Sequence, residues 1–393
     1  MTSALALSPT VVLAPVEDGY LAFETRRGRL HRLNPAAALI LELADGTRDR
    51  GEIVALVGRL TVPGGDRAIG AWIDRALRDG LLGEGAPAGA SWTVAALERR
   101  VGRLRDEGQI LAAYVCQREV AGGRPADADA WAQLGELAHI LGRRAEARAA
   151  YERYQALRPE DAEVGHLLTA LRDEAPPPRA SDACITQLYA RFATFYDASM
   201  RDDLGYSAPE RLARAVVRAV GDRHRHRARD LAVLDLGCGT GLSGHRLRDF
   251  ARRLVGIDLS PEMLSGAAAR GVYDRLEAAE ITAWLERADD AGEPPFDVIA
   301  ACDSLIYFGD LRPVLVPAAR RLAPGGLVAF TVERGEAFPF RLTDSGRYAH
   351  HRDHVVAATA DAGLAVVEIE ENVLRHEYGE PVVGLVAVLR RPG

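Results

Sequence analysis

The sequence predicts a multidomain α/β chain, and three observations predict it. Residues 1–88 read as three short strands followed by three helices. Residues 92–173 read as helix throughout and echo themselves, with Gly108, Ala113 and Pro125 repeated as Gly142, Ala147 and Pro159. Residues 184–393 alternate strands with helices, the pattern of a mostly parallel sheet covered on both faces. At 393 residues there is room for three such bodies, at roughly 150 residues or fewer each.

The composition is that of a globular protein, 48% hydrophobic and 27% charged. Net charge is −7, with the basic residues spread along the chain, which argues against a nucleic-acid or anionic-membrane partner. All 49 basic side chains other than histidine are arginine, a usage that reads as coding bias rather than function. Cys116, Cys184, Cys238 and Cys302 form no CxxC pair and read as reduced, buried thiols of a cytoplasmic protein. The opening residues lack a basic leader followed by an apolar core, so no export signal is expected. The longest apolar runs, such as "VVGLVAVL", are strand-sized, so no membrane span is expected.

In the first segment, "TVVLAPV", "YLAFET" and "GRLHRLN" have strand length and strand residue types. Asn34 is placed to cap a helix, with Pro35 in its first turn and Gly46 at its end. "DRGEIVALVGRL" and "RAIGAWIDRALRDGLL" follow as amphipathic helices, and "GEGAPAGAS" as a linker. In the second segment the clearer copy carries Trp131, Leu134, Gly135, Ala147, Tyr151 and Pro159. Small residues there let helices approach while Trp131 and Tyr151 fill the gap between them. The pattern resembles the tetratricopeptide repeat, with a degenerate first copy and a closing helix at "AEVGHLLTALRDE". "EAPPPRASDA" is expected to be a stiff linker.

The third segment begins its sheet with "VLDLGCGTGLSG". Gly237, Gly239 and Gly241 let bare backbone pass against a ligand. By itself a GxGxxG turn also suits a nicotinamide dinucleotide. Asp235, just before the turn, suits a ligand bearing an ammonium group and repels a pyrophosphate. Asp258, in "GIDLS", is placed to accept two hydrogen bonds from ribose hydroxyls, with Leu259 beside it. Glu280 is placed to accept from an adenine amine, with Ile281 against the ring. "ACDSLIYFGDL" brings Asp303, Ser304 and Tyr307 to the crevice, and "RLAPGGL" turns into the fifth strand. The last two strands, lacking a helix-length connection, are expected to pair antiparallel.

This order of glycine turn, ribose acid, adenine acid, fourth-strand segment and PGG turn resembles the class I S-adenosylmethionine-dependent methyltransferases. The resemblance implies a Rossmann-like doubly wound domain over 184–393, S-adenosyl-L-methionine as cofactor, and a cofactor site of Asp235, Gly237, Cys238, Gly239, Gly241, Asp258, Leu259, Glu280, Ile281 and Asp303. Glu280 departs from the aspartate more usual there. "ITQLYARFATFYDASMRDDLGYSAPERL" is like the helical lid of the branch that often carries tetratricopeptide repeats, which implies Tyr189, Tyr196 and Tyr206 over the methionine end. "FRLTDSGRYAHHRDHV" also looks like that branch. Because histidine titrates near neutral pH, His350 is the first candidate for a general base, with Tyr348 and His351 behind it. "DRHRHRARD" reads as a solvated loop, and no metal-ligand spacing appears elsewhere.

"LNPAAALILELADGTRDRGEIVALV" resembles the PqqD family, the peptide chaperone of pyrroloquinoline quinone biosynthesis. That resemblance implies a winged-helix-like α+β domain over 1–88 that recognises the leader of a ribosomally made precursor peptide by strand addition. The groove would lie between Arg29–Leu33 and the helix around Trp72 and Leu77. A winged helix also raises DNA binding, but residues 1–88 carry nearly equal acidic and basic counts, not the excess that phosphate contacts need. The expected activity is methylation of such a precursor peptide. The alternative is a small molecule, a quinone or metabolite, with the first two domains contacting a partner protein.

Overall fold

Asn34 caps the first helix as its sequence position demands, its side chain accepting a hydrogen bond from the Ala37 amide at 2.8 Å. The computed structural model describes residues 3–16, 19–60, 65–85, 92–200, 204–221, 230–287, 293–377 and 379–393. The chain divides into two compact units, Met1–Pro159 and Glu160–Gly393. No helix among the described residues is long and apolar enough to cross a membrane.

The amino-terminal unit begins with β1 (Ala4–Leu7), β2 (Val11–Val16), β3 (Gly19–Glu24) and β4 (Arg29–Leu33). Then come α1 (Pro35–Leu43), β5 (Asp45–Asp49), α2 (Arg50–Leu60), α3 (Asp66–Asp79) and β6 (Leu82–Glu84). The three expected strands form the antiparallel meander β2-β3-β4, with Phe23 paired to Val12 and Leu30. A second small sheet, β5-β1-β6, was not foreseen. "DGTR" lies in strand β5 because β1 pairs with it, and α1 ends at Leu43 rather than at the expected Gly46. The linker expected over 83–91 starts inside β6, and most of it lies outside the described residues.

The repeat segment supplies α4 (Val94–Asp106), α5 (Ile110–Gly123), α6 (Ala128–Ile140) and α7 (Arg144–Leu157) to this unit. Its period is visible in the capping. Thr93, Asp127 and Asp161 are equally spaced, and each accepts from the amide three residues on. Gly135 lies against Tyr151, whose ring stands 2.5 Å from where a Cβ would be. The helices are not a separate body from the sheets. α5 packs on β2 and β3, and Arg100 stacks over Phe23 at 5.3 Å.

The carboxyl-terminal unit opens with α8 (Ala162–Leu171) and α9 (Asp182–Phe192). Its sheet is built from β7 (Leu231–Leu236), β8 (Ala251–Asp258), β9 (Arg275–Ala278), β10 (Phe296–Ala301) and β11 (Leu322–Arg334), all parallel. The short β12 (Phe340–Leu342) and β13 (Tyr348–His350) extend it. β14 (Ala365–Glu377) and β15 (Glu380–Arg390) form the expected antiparallel pair, and β15 also pairs antiparallel with β11. β7 lies at the centre and is buried along its whole length. Its residues alternate between two cores, Leu231 and Val233 to one face, Ala232, Leu234 and Leu236 to the other. Chain order runs outward from β7 through β8 and β9 on one side and returns through β10 on the other. The strand ends therefore part beside β7, where open α/β sheets place ligands.

The segment 174–183, expected as a stiff linker, is docked on this unit. The Gly309 amide donates to the Pro178 carbonyl and the Ala180 amide to the Tyr307 carbonyl, both at 2.8 Å.

Candidate functional site

A cleft with about 580 Å³ of open space lies at the carboxyl ends of β7, β8, β9 and β10. Each strand end delivers residues to it. Gly237 and Gly239 follow β7, Asp258 and Leu259 come from β8, Glu280 and Ile281 follow β9, and Cys302, Asp303 and Ser304 follow β10. Tyr189, Tyr196 and Tyr307 complete the wall.

The glycine turn is a consequence of crowding. The Ser304 hydroxyl donates to the Leu236 carbonyl at 2.8 Å and pins the tips of β7 and β10 together. A Cβ on Gly237 would meet the Ser304 Cβ at 2.4 Å, and φ there is +66°. Only glycine meets both conditions.

Asp258 accepts from the Gly239 amide at 2.8 Å through Oδ2 and from the Ser260 amide at 2.9 Å through Oδ1. Each carboxylate oxygen keeps a second lone pair, so the side chain is fixed yet able to accept further hydrogen bonds. Burial pushes its carboxyl above the ordinary range, partly offset by those amides. Glu280 caps the helix 281–286, accepting from the Ala283 amide at 2.8 Å. Part of the carboxylate assigned to adenine is thus committed to the helix.

Three expected cofactor contacts lie behind the cleft wall. Asp235 is fully buried beneath the turn and does not line the cleft. Its Oδ2 accepts from Tyr273 at 2.7 Å and Ser243 at 3.0 Å, and its Oδ1 has no partner among the described residues. Burial raises its carboxyl to about 6. Cys238 is buried, its amide bonded to the Ile257 carbonyl at 2.9 Å, and Gly241 opens the next helix at φ +88°. Tyr206 also stands outside, its hydroxyl 3.5 Å from the Cys302 sulfur.

Two of the three expected lid tyrosines, Tyr189 and Tyr196, line the cleft. Tyr189 and Tyr307 share a hydrogen bond of 2.8 Å, and Tyr196 packs edge-on to Tyr189 at 6.2 Å. Burial pushes all three phenols above the usual range, so they are neutral hydroxyls at physiological pH. Asp197, beside Tyr196, is bonded to the Thr240 hydroxyl and to Arg270, while Arg270 Nε donates to the Thr240 carbonyl at 2.6 Å. These bonds latch the tyrosine segment to the glycine turn.

The three candidate bases do not reach the cleft. His350 is fully buried, its Nε2 2.9 Å from the Phe308 carbonyl and 3.1 Å from that of Gly309. Burial first, then the neighbouring His354, lower it to about 4, so the ring is neutral and donates to carbonyls. Tyr348 is buried with Ala170 and Leu342 and donates to the Pro177 carbonyl at 2.6 Å. His351 caps the helix 352–361, its Nδ1 accepting from the Asp353 amide at 3.1 Å. His350 thus holds the wall at Phe308 and Gly309, Tyr348 holds the docked segment at Pro177, and His351 caps a helix. Residue type suggested a base; burial, a tertiary property, overrides it.

Sequence reasoning missed the charged network behind Asp303. Arg375, 3% exposed, lies 3.1 Å from Asp303 and 2.8 Å from Glu377, and also contacts Glu333. Arg347 bridges Glu333 at 3.4 Å and Glu377. Although burial opposes it, the two arginines hold the Glu377 carboxyl below its usual range. Asp303 itself has φ +50°, a strained value for a residue with a side chain.

Residues 234–328 match a family model described as a methyltransferase domain. A ubiquinone biosynthesis O-methyltransferase of Alkalilimnicola ehrlichii is 30% identical over 99 residues, 25% of this chain and 40% of that protein. A dTDP-4-amino-2,3,4,6-tetradeoxy-D-glucose N,N-dimethyltransferase of Saccharopolyspora spinosa is 35% identical over 140 residues, 34% of this chain and 53% of that protein. The chain thus spans about half the length of these curated relatives. The N-methyltransferase NodS of Bradyrhizobium japonicum, solved with S-adenosyl-L-homocysteine, aligns over 53% of this chain and 98% of its own at 21% identity, with a TM-score of 0.41. The cleft has what a nucleoside bearing a charged thioether requires: bare glycine backbone, a fixed carboxylate with free lone pairs at Asp258, and an apolar wall at Ile281. Residues 234–328 thus match a methyltransferase domain, and S-adenosylmethionine is the cofactor that the residues of the cleft fit.

Proposed function

We propose that this protein transfers a methyl group from S-adenosylmethionine to an acceptor in this cleft, and that the acceptor is a ribosomally made precursor peptide. The observation that carries the transfer reading is the fixed Asp258 carboxylate facing the same cleft as the glycine turn. When bound, the cofactor supplies a methyl group activated on a positively charged sulfur. Asp258 accepts from the ribose hydroxyls. Gly237 and Gly239 leave room for close backbone approach. Ile281 packs on the base. Tyr189, Tyr196 and Tyr307 line the cleft and shield it from water, so alignment does most of the work.

The peptide reading is supported by the amino-terminal unit. β4 pairs only with β3 among the described strands, leaving its outer edge open to an added strand. A second reading, a small-molecule acceptor, is favoured by the relatives named for ubiquinone and an amino sugar nucleotide. Co-production with a short peptide encoded beside this gene tests the first reading. A gain of one methyl mass on that peptide supports it. An unmodified peptide, with no affinity for residues 1–159, favours the second. No heat on titration of the full chain with S-adenosylhomocysteine would overturn both.

A further inference from the structure

We propose that the acceptor atom is an amine nitrogen, and that Asp303 receives the positive charge that develops on it. The proposal rests on the reading that the cleft holds S-adenosylmethionine, and it names the acceptor class for that same site.

Asp303 is held at the cleft wall with unusual thoroughness. Its amide donates to the Thr331 hydroxyl at 2.8 Å, and that hydroxyl donates back to Oδ1 at 2.7 Å. Arg375 fixes Oδ2 from behind at 3.1 Å. These bonds sustain a backbone at φ +50°, a conformation that persists only where its surroundings over-determine it. Each oxygen retains a lone pair for the cleft. Charge in the network is not balanced. Arg375 and Arg347 face Asp303, Glu333 and Glu377, so the cluster keeps one net negative charge.

The rest of the wall agrees. Among the described residues lining the cleft none is arginine or histidine. Tyr189, Tyr196 and Tyr307 are neutral hydroxyls that present oxygen lone pairs. An oxygen acceptor such as a phenolate or carboxylate would bring negative charge to this wall and find no side-chain cation lining it. An amine reacts as its neutral form, after its ammonium has released a proton to solvent. Its lone pair forms the new N–C bond, the electron pair of the breaking C–S bond stays on the thioether sulfur, and the ammonium product later releases a proton to solvent. Nitrogen gains positive charge as the bond forms, so a fixed carboxylate stabilises the transition state more than the ground state.

The test compares two cofactor analogues by calorimetry on the full chain at pH 7. S-adenosylhomocysteine carries an uncharged sulfur at the transfer position. Sinefungin carries an amine-bearing carbon there. The expected result is sinefungin at least ~10-fold tighter than S-adenosylhomocysteine, the scale of one charge-assisted hydrogen bond. In Asp303→Asn that ratio should fall toward one while S-adenosylhomocysteine affinity shifts less than ~3-fold. A wild-type ratio near or below one overturns the proposal, as does a ratio that survives Asp303→Asn. The wild-type ratio needs no variant, so the proposal stays testable even if Asp303→Asn does not fold. Failure of both probes to bind would overturn the cofactor reading itself, a distinct outcome.

Discussion

The imidazole Nε2 of His350 stands 2.9 Å from the carbonyl oxygen of Phe308, and that distance assigns the residue to architecture. Its ring shares the Phe308 and Gly309 carbonyls, so it holds the wall segment that carries Tyr307. His350→Gln, which still offers a side-chain N–H, should retain methyl transfer with an unshifted pH–rate profile. His350→Ala should lose roughly 1–3 kcal/mol of stability through unpaired carbonyls. With the folded-state pKa lowered to about 4, protons bind the unfolded chain first. The stability contributed by neutral His350 is complete above pH ~6.5 and is lost as pH falls toward 4. Urea denaturation of wild type and variant across that window checks the sign.

Asp235 gives the opposite dependence. Its carboxyl is raised to about 6 by burial, so the folded state takes up a proton before the unfolded chain does. Its contribution is present below pH ~3.8 and is lost as pH rises through 6, on the order of 3 kcal/mol. Relative to Asp235→Asn, the wild type should therefore lose stability between pH 4 and 6.5. The same titrations in Tyr273→Phe, which removes a 2.7 Å donor, should show a still higher apparent pKa. An unchanged difference between wild type and Asp235→Asn over this range would contradict the assignment.

Asp258→Ala removes a carboxylate that faces the cleft and ties Gly239 to β8. Loss of charge-assisted hydrogen bonds to a ribose should weaken S-adenosylhomocysteine ~10–100-fold by calorimetry. An unchanged dissociation constant would refute the ribose assignment.

Asp197→Ala cuts the latch between the tyrosine segment and the Thr240–Arg270 pair. These contacts are partly exposed, so global stability should fall by less than ~1 kcal/mol. Hydrogen exchange in residues 189–200 should quicken, and the cofactor product should dissociate several-fold faster in stopped-flow mixing.

The local signals in the sequence carried over well. The Asn34 cap and the antiparallel β14–β15 pair both answer to short-range chemistry. Gly237, Gly239 and Asp258 line the cleft where their turns place them. What failed depended on distant neighbours. β7 is buried on both faces, so alternation could not reveal that Asp235 points beneath the turn. "DGTR" became a strand because β1, some forty residues earlier, pairs with it. Arg375 carried no sequence signal, because Asp303 and Glu333 meet it only across the sheet.

Arg375 sits on β14, in the hairpin that completes the sheet, yet it abuts the end of β10. The donor half of the cleft draws on the first strands, whereas the counter-ion behind Asp303 comes from the last. An exchange of the terminal hairpin between related chains would thus leave nucleoside capture intact and retune which nucleophile is welcomed.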